Sequence, residues 1–232
     1  MYEFYTIATD TAGNVEDAPT EADAACYFDA RLVLSEAESP TYSTTGTIAV
    51  TFTTDVGNDG YDHVALYYRY GQTQDEVGAA EWATASTTSD EESGTLDFYS
   101  LDGDGYYQFY TRALSGGGVW EPAPDYADTI TLADSLPPQT SVTTPPISSE
   151  STLDIAFDSS EAHGLVSIDI YSWYGGNWSL WMTVYETSGT VTFDAGNDQG
   201  EFRFYSIGTD AAGNREQPPP QGYDCSVVVD LS

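Results

Sequence analysis

One sequence phrase occurs three times along this chain and constrains its fold more than any other feature. Residues 2–16 read YEFYTIATDTAGNVE and residues 202–216 read FRFYSIGTDAAGNRE. A more divergent copy, YQFYTRALSGGGVWE, occupies residues 107–121. Each copy is typical of a strand that enters a tight turn, and the copies lie about 100 residues apart, which indicates a tandem repeat. The chain therefore contains two complete units and the remnant of a third at its start.

The length of the chain agrees with this division. A chain of 232 residues can form one large or two ordinary domains, and a unit of about 100 residues can bury its own core. We predict a partial repeat, a β-hairpin, at residues 1–30 and complete units at residues 31–134 and 135–232. A lone hairpin is marginally stable in water, so it either packs on another element or is the tail of a repeat cut off upstream.

Apolar side chains alternate with polar ones along the strand segments of both units, which is typical of half-buried strands. The alternation puts on one face Ile48, Val50 and Phe52 in the first unit and Leu153, Ile155 and Phe157 in the second. No ten-residue segment has a helical period. Six or seven short strands per unit, separated by turn residues, predict an all-β chain of tandem β-sandwiches.

The repeated phrase, which ends Asp-x-Ala-Gly-Asn-x-Glu near the end of each unit, resembles the immunoglobulin-like and fibronectin-type-III-like repeats of bacterial and archaeal surface proteins. The resemblance implies that the phrase is the F strand with its F–G turn, and that the chain is extracellular or at the cell surface. Such modules occur in S-layers, adhesins and filaments and as spacers in secreted enzymes. The middle copy departs from the pattern, because residues 115–118 read SGGG.

The charge of the chain is strongly negative. Its 38 acidic residues face 5 arginines and no lysine, for a net charge of −33. Such a field repels nucleic acid and anionic lipid, so we expect no nucleic-acid partner. Three explanations stay open: a solvated acidic surface, divalent-ion sites, or a specific basic partner. We expect no membrane span, because no long apolar stretch occurs, and no signal peptide, because Met1 runs directly into a strand pattern.

Acidic loops rich in glycine and asparagine are candidates for calcium, which prefers carboxylate and carbonyl oxygens. The candidate ligands are Asp55, Asn58, Asp59, Asp62, Asp102, Asp104, Asp194, Asn197 and Asp198. The alternative is that these loops are solvated hairpin turns. Asp10 and Asp210 of the repeated phrase are better explained as turn residues that bind nearby backbone N–H groups, with a cation site as the alternative.

Two cysteines, Cys26 and Cys225, occupy comparable places in the last strand of a repeat. One cysteine per unit cannot close a disulfide within that unit. They are either free thiols or form an inter-subunit disulfide, with pairing inside the chain or to another partner as further alternatives.

A glycosylation sequon begins at Asn177, on a predicted hairpin turn where an acceptor would be exposed. Four aromatic residues surround it, namely Trp173, Tyr174, Trp178 and Trp181. They belong either to the core and the sheet faces or to a platform for glycan or protein binding.

We expect no enzyme activity. The two histidines, His63 and His163, lie in different units and outside any nucleophile motif or metal-ligand spacing. The predicted function is a structural protein of a surface layer, fibre or filament that self-associates, with calcium as its only candidate cofactor. In that hypothesis the hairpin 1–30 adds head to tail to the sheet edge of a neighbouring subunit. The alternatives are an adhesin segment that binds glycan or another surface, and a non-catalytic spacer of a secreted enzyme.

Overall fold

The computed structural model describes residues 1–26, 33–57, 59–100, 102–161 and 163–232. The prediction of an all-β chain is confirmed: the described residues form eighteen strands and one short helix. None of their helices is long and apolar enough to cross a membrane.

The first sandwich consists of two sheets that face each other. In chain order its elements are β3 (Leu34–Glu38), β4 (Tyr42–Ser43), β5 (Thr47–Asp55), β6 (Tyr61–Gly71), α1 (Gln74–Ala79), β7 (Ala83–Ser89), β8 (Ser93–Tyr99), β9 (Gly105–Ser115) and β10 (Thr129–Ala133). One sheet has the strand order β4-β10-β9-β6-β7 and the other β3-β5-β8. The strand that carries the middle copy of the phrase, β9, lies at the centre of the larger sheet.

The second sandwich repeats this topology strand for strand. Its elements are β11 (Gln139–Thr143), β12 (Ile147–Ser148), β13 (Thr152–Ser160), β14 (Leu165–Tyr174), β15 (Asn177–Val184), β16 (Ser188–Asp194), β17 (Gly200–Asp210) and β18 (Cys225–Val229). The sheet orders are β12-β18-β17-β14-β15 and β11-β13-β16. In both sandwiches the shortest strand pairs in parallel with the last one, while the other ladders are antiparallel.

Each sandwich has its own hydrophobic core, and the six alternating residues named above are all buried in these cores. The phrase contributes the central aromatic residue, Phe109 in the first core and Phe204 in the second, each 0% exposed. Phe98 meets Phe109, and Phe193 meets Phe204, edge to face with ring centroids 5.1 Å apart. The two cores share no residue. The domain boundary predicted at residue 30 lies outside the described residues, and the one at residue 134 stays a prediction.

The N-terminal hairpin is smaller than the sequence predicts. Among its described residues, β1 (Tyr2–Phe4) pairs with β2 (Ala24–Cys26), and an isolated bridge joins Thr9 and Val15. The strand predicted around Cys26 also includes residues 27 and 28, which lie outside the described part. All of residues 1–26 are exposed to solvent.

The six-residue helix α1 lies in the longer connection of the first unit, where the sequence analysis predicts no helix. Thr73 and Glu76 form a capping box at its start, and Val77 is fully buried beneath it. Gly71 is required there, because a Cβ atom would lie 2.3 Å from the backbone nitrogen of Val77. A helix of two turns is too short to show a period, but the capping box is visible in the sequence.

Candidate functional site

The glutamate that ends the repeated phrase holds the first strand of the second sandwich. Glu216 accepts a hydrogen bond from the backbone N–H of Gly208 in β17 at 3.1 Å. It also accepts from the backbone N–H of Thr140 in β11 at 3.1 Å and from the hydroxyl of the same residue. The side chain therefore joins the F strand to the first strand of the unit.

An aspartate just before β18 makes the same kind of connection two residues further along β11. Asp224 accepts from the N–H of Ser206 at 3.0 Å and from the N–H of Val142 at 3.3 Å. Thr140 and Val142 are alternate residues of β11, so their N–H groups leave the same side of the strand. We call such a pair of carboxylates, here Glu216 and Asp224, the carboxylate clamp.

The first sandwich has the same clamp, formed by Glu121 and Asp128. Glu121 accepts from the N–H of Ser35 at 3.0 Å, and Asp128 from the N–H of Ala37 at 3.0 Å. Both carboxylates also accept from backbone N–H groups of β9. The clamp thus satisfies alternate N–H groups of β3 as it does those of β11.

The physical role of the clamp follows from the position of these strands. Both β3 and β11 lie at the end of a three-stranded sheet, and an open edge of this kind invites pairing with another chain. The carboxylates occupy the outward N–H groups in place of a further strand. Desolvation raises the pKa of Asp128 and Asp224, although the hydrogen bonds that they accept act in the opposite direction.

The N-terminal hairpin carries the same two carboxylates, and no strand of the described residues lies between them and solvent. Glu16 accepts from the N–H of Ala8 at 3.1 Å, and Asp23 from the N–H of Thr6 at 2.8 Å. Both carboxylates are exposed. Within the described residues, neither receives a hydrogen bond from any first strand of the β3 or β11 type. We call this pair the open clamp.

The turn of the phrase has the structural role that the sequence indicates. The Oδ1 atom of Asp210 accepts from the N–H of Asn214 at 2.8 Å, and the Nδ2 atom of Asn214 donates to Oδ2 at 2.9 Å. Asp10 and Asn14 form the same two bonds, and the side-chain bond from Asn14 lowers the pKa of Asp10. In the middle copy, the hydroxyl of Ser115 replaces the carboxylate.

The predicted calcium loops do not gather into clusters. In the part of the chain that the structure describes, no three acidic side chains of these loops come together, and Asn58 lies outside that part. Asp104 accepts from the N–H of Ser135 at 3.1 Å, and Asp194 from the N–H of Gly196 at 2.8 Å. The remaining candidates are all exposed to solvent, namely Asp55, Asp59, Asp62, Asp102, Asn197 and Asp198. Calcium binding at these loops stays a prediction.

A different group of candidate metal ligands lies where the two sandwiches meet. Asp134 follows β10 of the first unit, while Glu161 and His163 come from the β13–β14 connection of the second. One ligand atom from each lies within 4.8 Å of the other two. Sequence spacing did not reveal this group, because its members belong to different units and meet only through the short linker.

The aromatic residues near Asn177 divide between the two faces of their sheet. Trp181 packs against Phe193 in the core, with ring centroids 5.1 Å apart. Trp178 lies on the outer face, 38% exposed and edge-on to Tyr205, and Trp173 lies there beneath the guanidinium of Arg203. The acceptor Asn177 itself is exposed beside a two-residue turn, and its glycosylation stays a prediction.

The two cysteines differ in environment. Cys26 is exposed, while Cys225 is half-buried, and both are free. Burial and the nearby carboxylate of Asp224 raise the pKa of the Cys225 thiol to about 12, so its reactive thiolate is scarce at neutral pH. The predicted inter-subunit disulfide stays a prediction.

Comparison with known proteins identifies the fold. No family model and no curated protein matches the chain. Among solved structures, it is similar to a marsupial T cell receptor at 15% identity and a TM-score of 0.52, over 85% of this chain and 73% of that one. It is also similar to a calcium-stabilised, ice-binding adhesin of an Antarctic bacterium, at 16% identity and a TM-score of 0.40, over 96% of this chain and 54% of that one. The likeness to the T cell receptor, together with the strand order of the two sandwiches, confirms the immunoglobulin-like sandwich that the resemblance implied.

Proposed function

We propose that this chain is a structural or adhesive component of an extracellular surface assembly, and that its copies associate through the open clamp of the N-terminal hairpin. No catalytic role is part of the proposal. The supporting fold is a tandem of two sandwiches joined by a short, proline-rich linker, which suits a structural role rather than a catalytic one.

The observation that carries the proposal is the open clamp. In both complete units, a glutamate and an aspartate at matching places bind alternate N–H groups of a first strand. Glu16 and Asp23 keep the bonds to their own strand and, among the described residues, bind no third element. The hairpin therefore offers two preorganised acceptors to an incoming strand, which is the main-chain recognition used in strand addition.

The occupant that fits is a first strand of the β3 or β11 type from a second copy of this chain. That strand must leave the carboxylate clamp of its own unit, because the clamp already binds the same N–H groups. Its required chemistry is a hydroxyl residue followed two positions later by a small apolar residue, as in Ser35 with Ala37 and Thr140 with Val142. A contact between one end of a copy and a different surface of the next is heterologous and generates open chains of subunits.

The net charge of the chain makes this association depend on the salt concentration. Two copies that each carry −33 repel one another, and dissolved salt screens exposed charges beyond a Debye length of about 3 Å at 1 M. Assembly should therefore strengthen as the salt concentration rises.

The first experiment compares the full chain with a variant that lacks residues 1–30, by sedimentation and electron microscopy at low and high salt. The proposal expects chains of subunits for the full sequence at high salt and monomers for the variant. Equal assembly of both proteins would refute it.

A second experiment tests the open clamp itself. The probe is the peptide PQTSVTT, which has the sequence of residues 138–144. The control peptide carries N-methyl groups at the positions of Thr140 and Val142, which removes the two donors and leaves every side chain in place. Chemical-shift changes at Ala8 and Thr6 with the first peptide, and none with the second, are expected. Equal binding of both peptides would contradict recognition through these N–H groups.

A second candidate function, glycan binding, rests on the outer face of the larger sheets. Tyr171 and Tyr205 stack there with centroids 4.7 Å apart beside the exposed Trp178. The first unit repeats this with stacked Tyr67 and Tyr110. Binding on a glycan array that is lost in Trp178→Ala would support this function, and an array without signal would count against it.

A further inference from the structure

The junction between the two sandwiches contains a buried carboxylate with an unsatisfied oxygen. Asp134 is 2% exposed, and its Oδ1 atom accepts from the N–H of Leu136 at 3.3 Å. Its Oδ2 atom has no hydrogen-bond partner among the described residues. A buried, unpaired carboxylate oxygen is costly, so this atom indicates a missing partner.

The nearest candidate groups surround that oxygen. The Nδ1 atom of His163 lies 3.5 Å from Oδ2 of Asp134, which is longer than a charge-assisted hydrogen bond. It is close to the separation of about 3.3 Å expected for two ligands of one tetrahedral ion with bonds of about 2.0 Å. Glu161 completes the group, with a carboxylate oxygen within 4.8 Å of both.

The backbone around the group is held in place. Glu161 accepts a hydrogen bond from the N–H of His163 at 2.7 Å, which fixes the local turn. The backbone carbonyl of Asp134 accepts from the Nδ2 atom of Asn214 at 2.9 Å, so the repeated phrase of the second unit fastens the end of the first. Because these bonds hold the backbone, side-chain rotation is the movement that would bring the three ligands onto one ion.

The donor set selects the class of ion. Calcium prefers six to eight oxygen ligands, whereas two carboxylates and an imidazole suit zinc and its neighbours among the divalent transition metals. A cleft of about 850 Å³ opens beside the group, which leaves room for water as the remaining ligand. The residues lining it include Gln72, Asp104, Pro138, Ser160 and Gln217.

We propose that Asp134, Glu161 and His163 bind one divalent transition-metal ion of the zinc class, which joins the two sandwiches at their junction. The ion ties the end of β10 to the β13–β14 connection, so its binding stiffens the linker between the units. This inference is independent of the open clamp, because it uses residues of the two sandwiches and none of the N-terminal hairpin.

The test uses the full chain after treatment with a chelator, with Co²⁺ and Zn²⁺ salts as probes in 0.5 M NaCl, about the ionic strength that screens surface charge. We expect one Co²⁺ per chain with visible absorption bands typical of four- or five-coordination, and displacement of that Co²⁺ by Zn²⁺ but not by Ca²⁺. Binding should also raise the melting temperature.

The chain contains its own control, because His63 also lies beside an aspartate, with its Nδ1 atom 3.6 Å from Asp62. His163→Ala should weaken Co²⁺ binding by roughly 100-fold or more, beyond the usual effect of losing a supporting residue, while His63→Ala should leave it unchanged. Glu161→Gln, which keeps the side-chain volume, provides a second variant if His163→Ala does not fold.

Three results would overturn the inference. They are the absence of stoichiometric Co²⁺ binding, equal binding by wild type and His163→Ala, and displacement of Co²⁺ by calcium at similar concentrations. The last two would mean that cations collect on the acidic surface without a built site.

Discussion

The two complete sandwiches have the same strand order, matching but separate cores and the same carboxylate clamp. They differ at the turn that ends the repeated phrase. In the second unit this turn lies at the junction, where Asp210 is 2% exposed and Asn214 donates to the carbonyl of Asp134. In the first unit, residues 115–118 instead pack on the neighbouring loop, with the N–H of Gly116 bonded to the carbonyl of Gly60.

The comparison separates two roles that the sequence phrase combines. The N–H of Ser115 bonds to the carbonyl of Val119, just as that of Asp210 bonds to Asn214. The chain therefore reverses equally well without aspartate and asparagine. What the second unit gains from this pair is the attachment of its neighbour, so at the junction Asn214 serves a contact between units in addition to its own turn.

The largest expected effect tests whether the two cores are equivalent and independent. Phe109→Ala and Phe204→Ala each remove a fully buried ring from a matching place, and each should cost about 3–5 kcal/mol of the unfolding free energy of its own unit. Differential scanning calorimetry should show one transition moving to lower temperature while the other stays. If either substitution shifted both transitions equally, the sandwiches would unfold as one body.

A smaller effect is expected at the clamps. In Glu216→Gln, the carboxylate, whose two oxygens both accept from the N–H of Thr140, is replaced by an amide with one acceptor oxygen and an NH₂ group that faces this N–H. We expect a loss of about 1–3 kcal/mol in the free energy of unfolding by urea. Glu16→Gln is the matched control, because its clamp holds no first strand and should change stability little. Faster hydrogen exchange at Thr140 would identify the cause. A cost as large for Glu16→Gln would mean that the open clamp is already occupied.

The sequence was sufficient for the strands and cores and insufficient for the contacts that join them. Alternation identified Ile48 and Ile155 as buried because strand periodicity is local. The clamp was missed because Glu216 and Thr140 are far apart in the chain, although a glutamate ends all three copies of the phrase and was a signal that could have found it. The ligand group at the junction was missed because Asp134 and His163 meet only once the two units are placed.

A substitution at the junction should have a smaller free-energy cost, about 1 kcal/mol, which is close to the contribution of one hydrogen bond. Asn214→Ala removes the bond to the carbonyl of Asp134 and should loosen the two units while each stays folded. Small-angle scattering should show a broader range of separations between them. Asn14→Ala removes the same turn bond from the hairpin, where Asn14 is exposed, and should leave the scattering unchanged. Equal curves for wild type and Asn214→Ala would show that the linker alone fixes the junction.

The smallest expected effect concerns pH and the aspartates of the clamps. Desolvation raises the pKa of Asp224, so this group binds a proton more readily in the folded chain than in the unfolded one, where its pKa is about 3.9. The stability that it contributes is complete below the unfolded value and is lost as the pH rises through the folded value. The urea midpoint of the second unit should therefore increase as the pH falls from 7 to about 4.5. Repulsion among the carboxylates of the whole chain has the same sign.

A pair of substitutions separates these two causes. Asp224→Asn and Asp198→Asn each remove one negative charge, but Asp198 is exposed. If desolvation at the clamp matters, the dependence of the urea midpoint on pH should become shallower in Asp224→Asn than in Asp198→Asn. Parallel curves would assign the whole effect to the net charge of −33. The clamp aspartate would then be a fully ionised acceptor, held by the N–H groups of Val142 and Ser206 strongly enough to offset its desolvation.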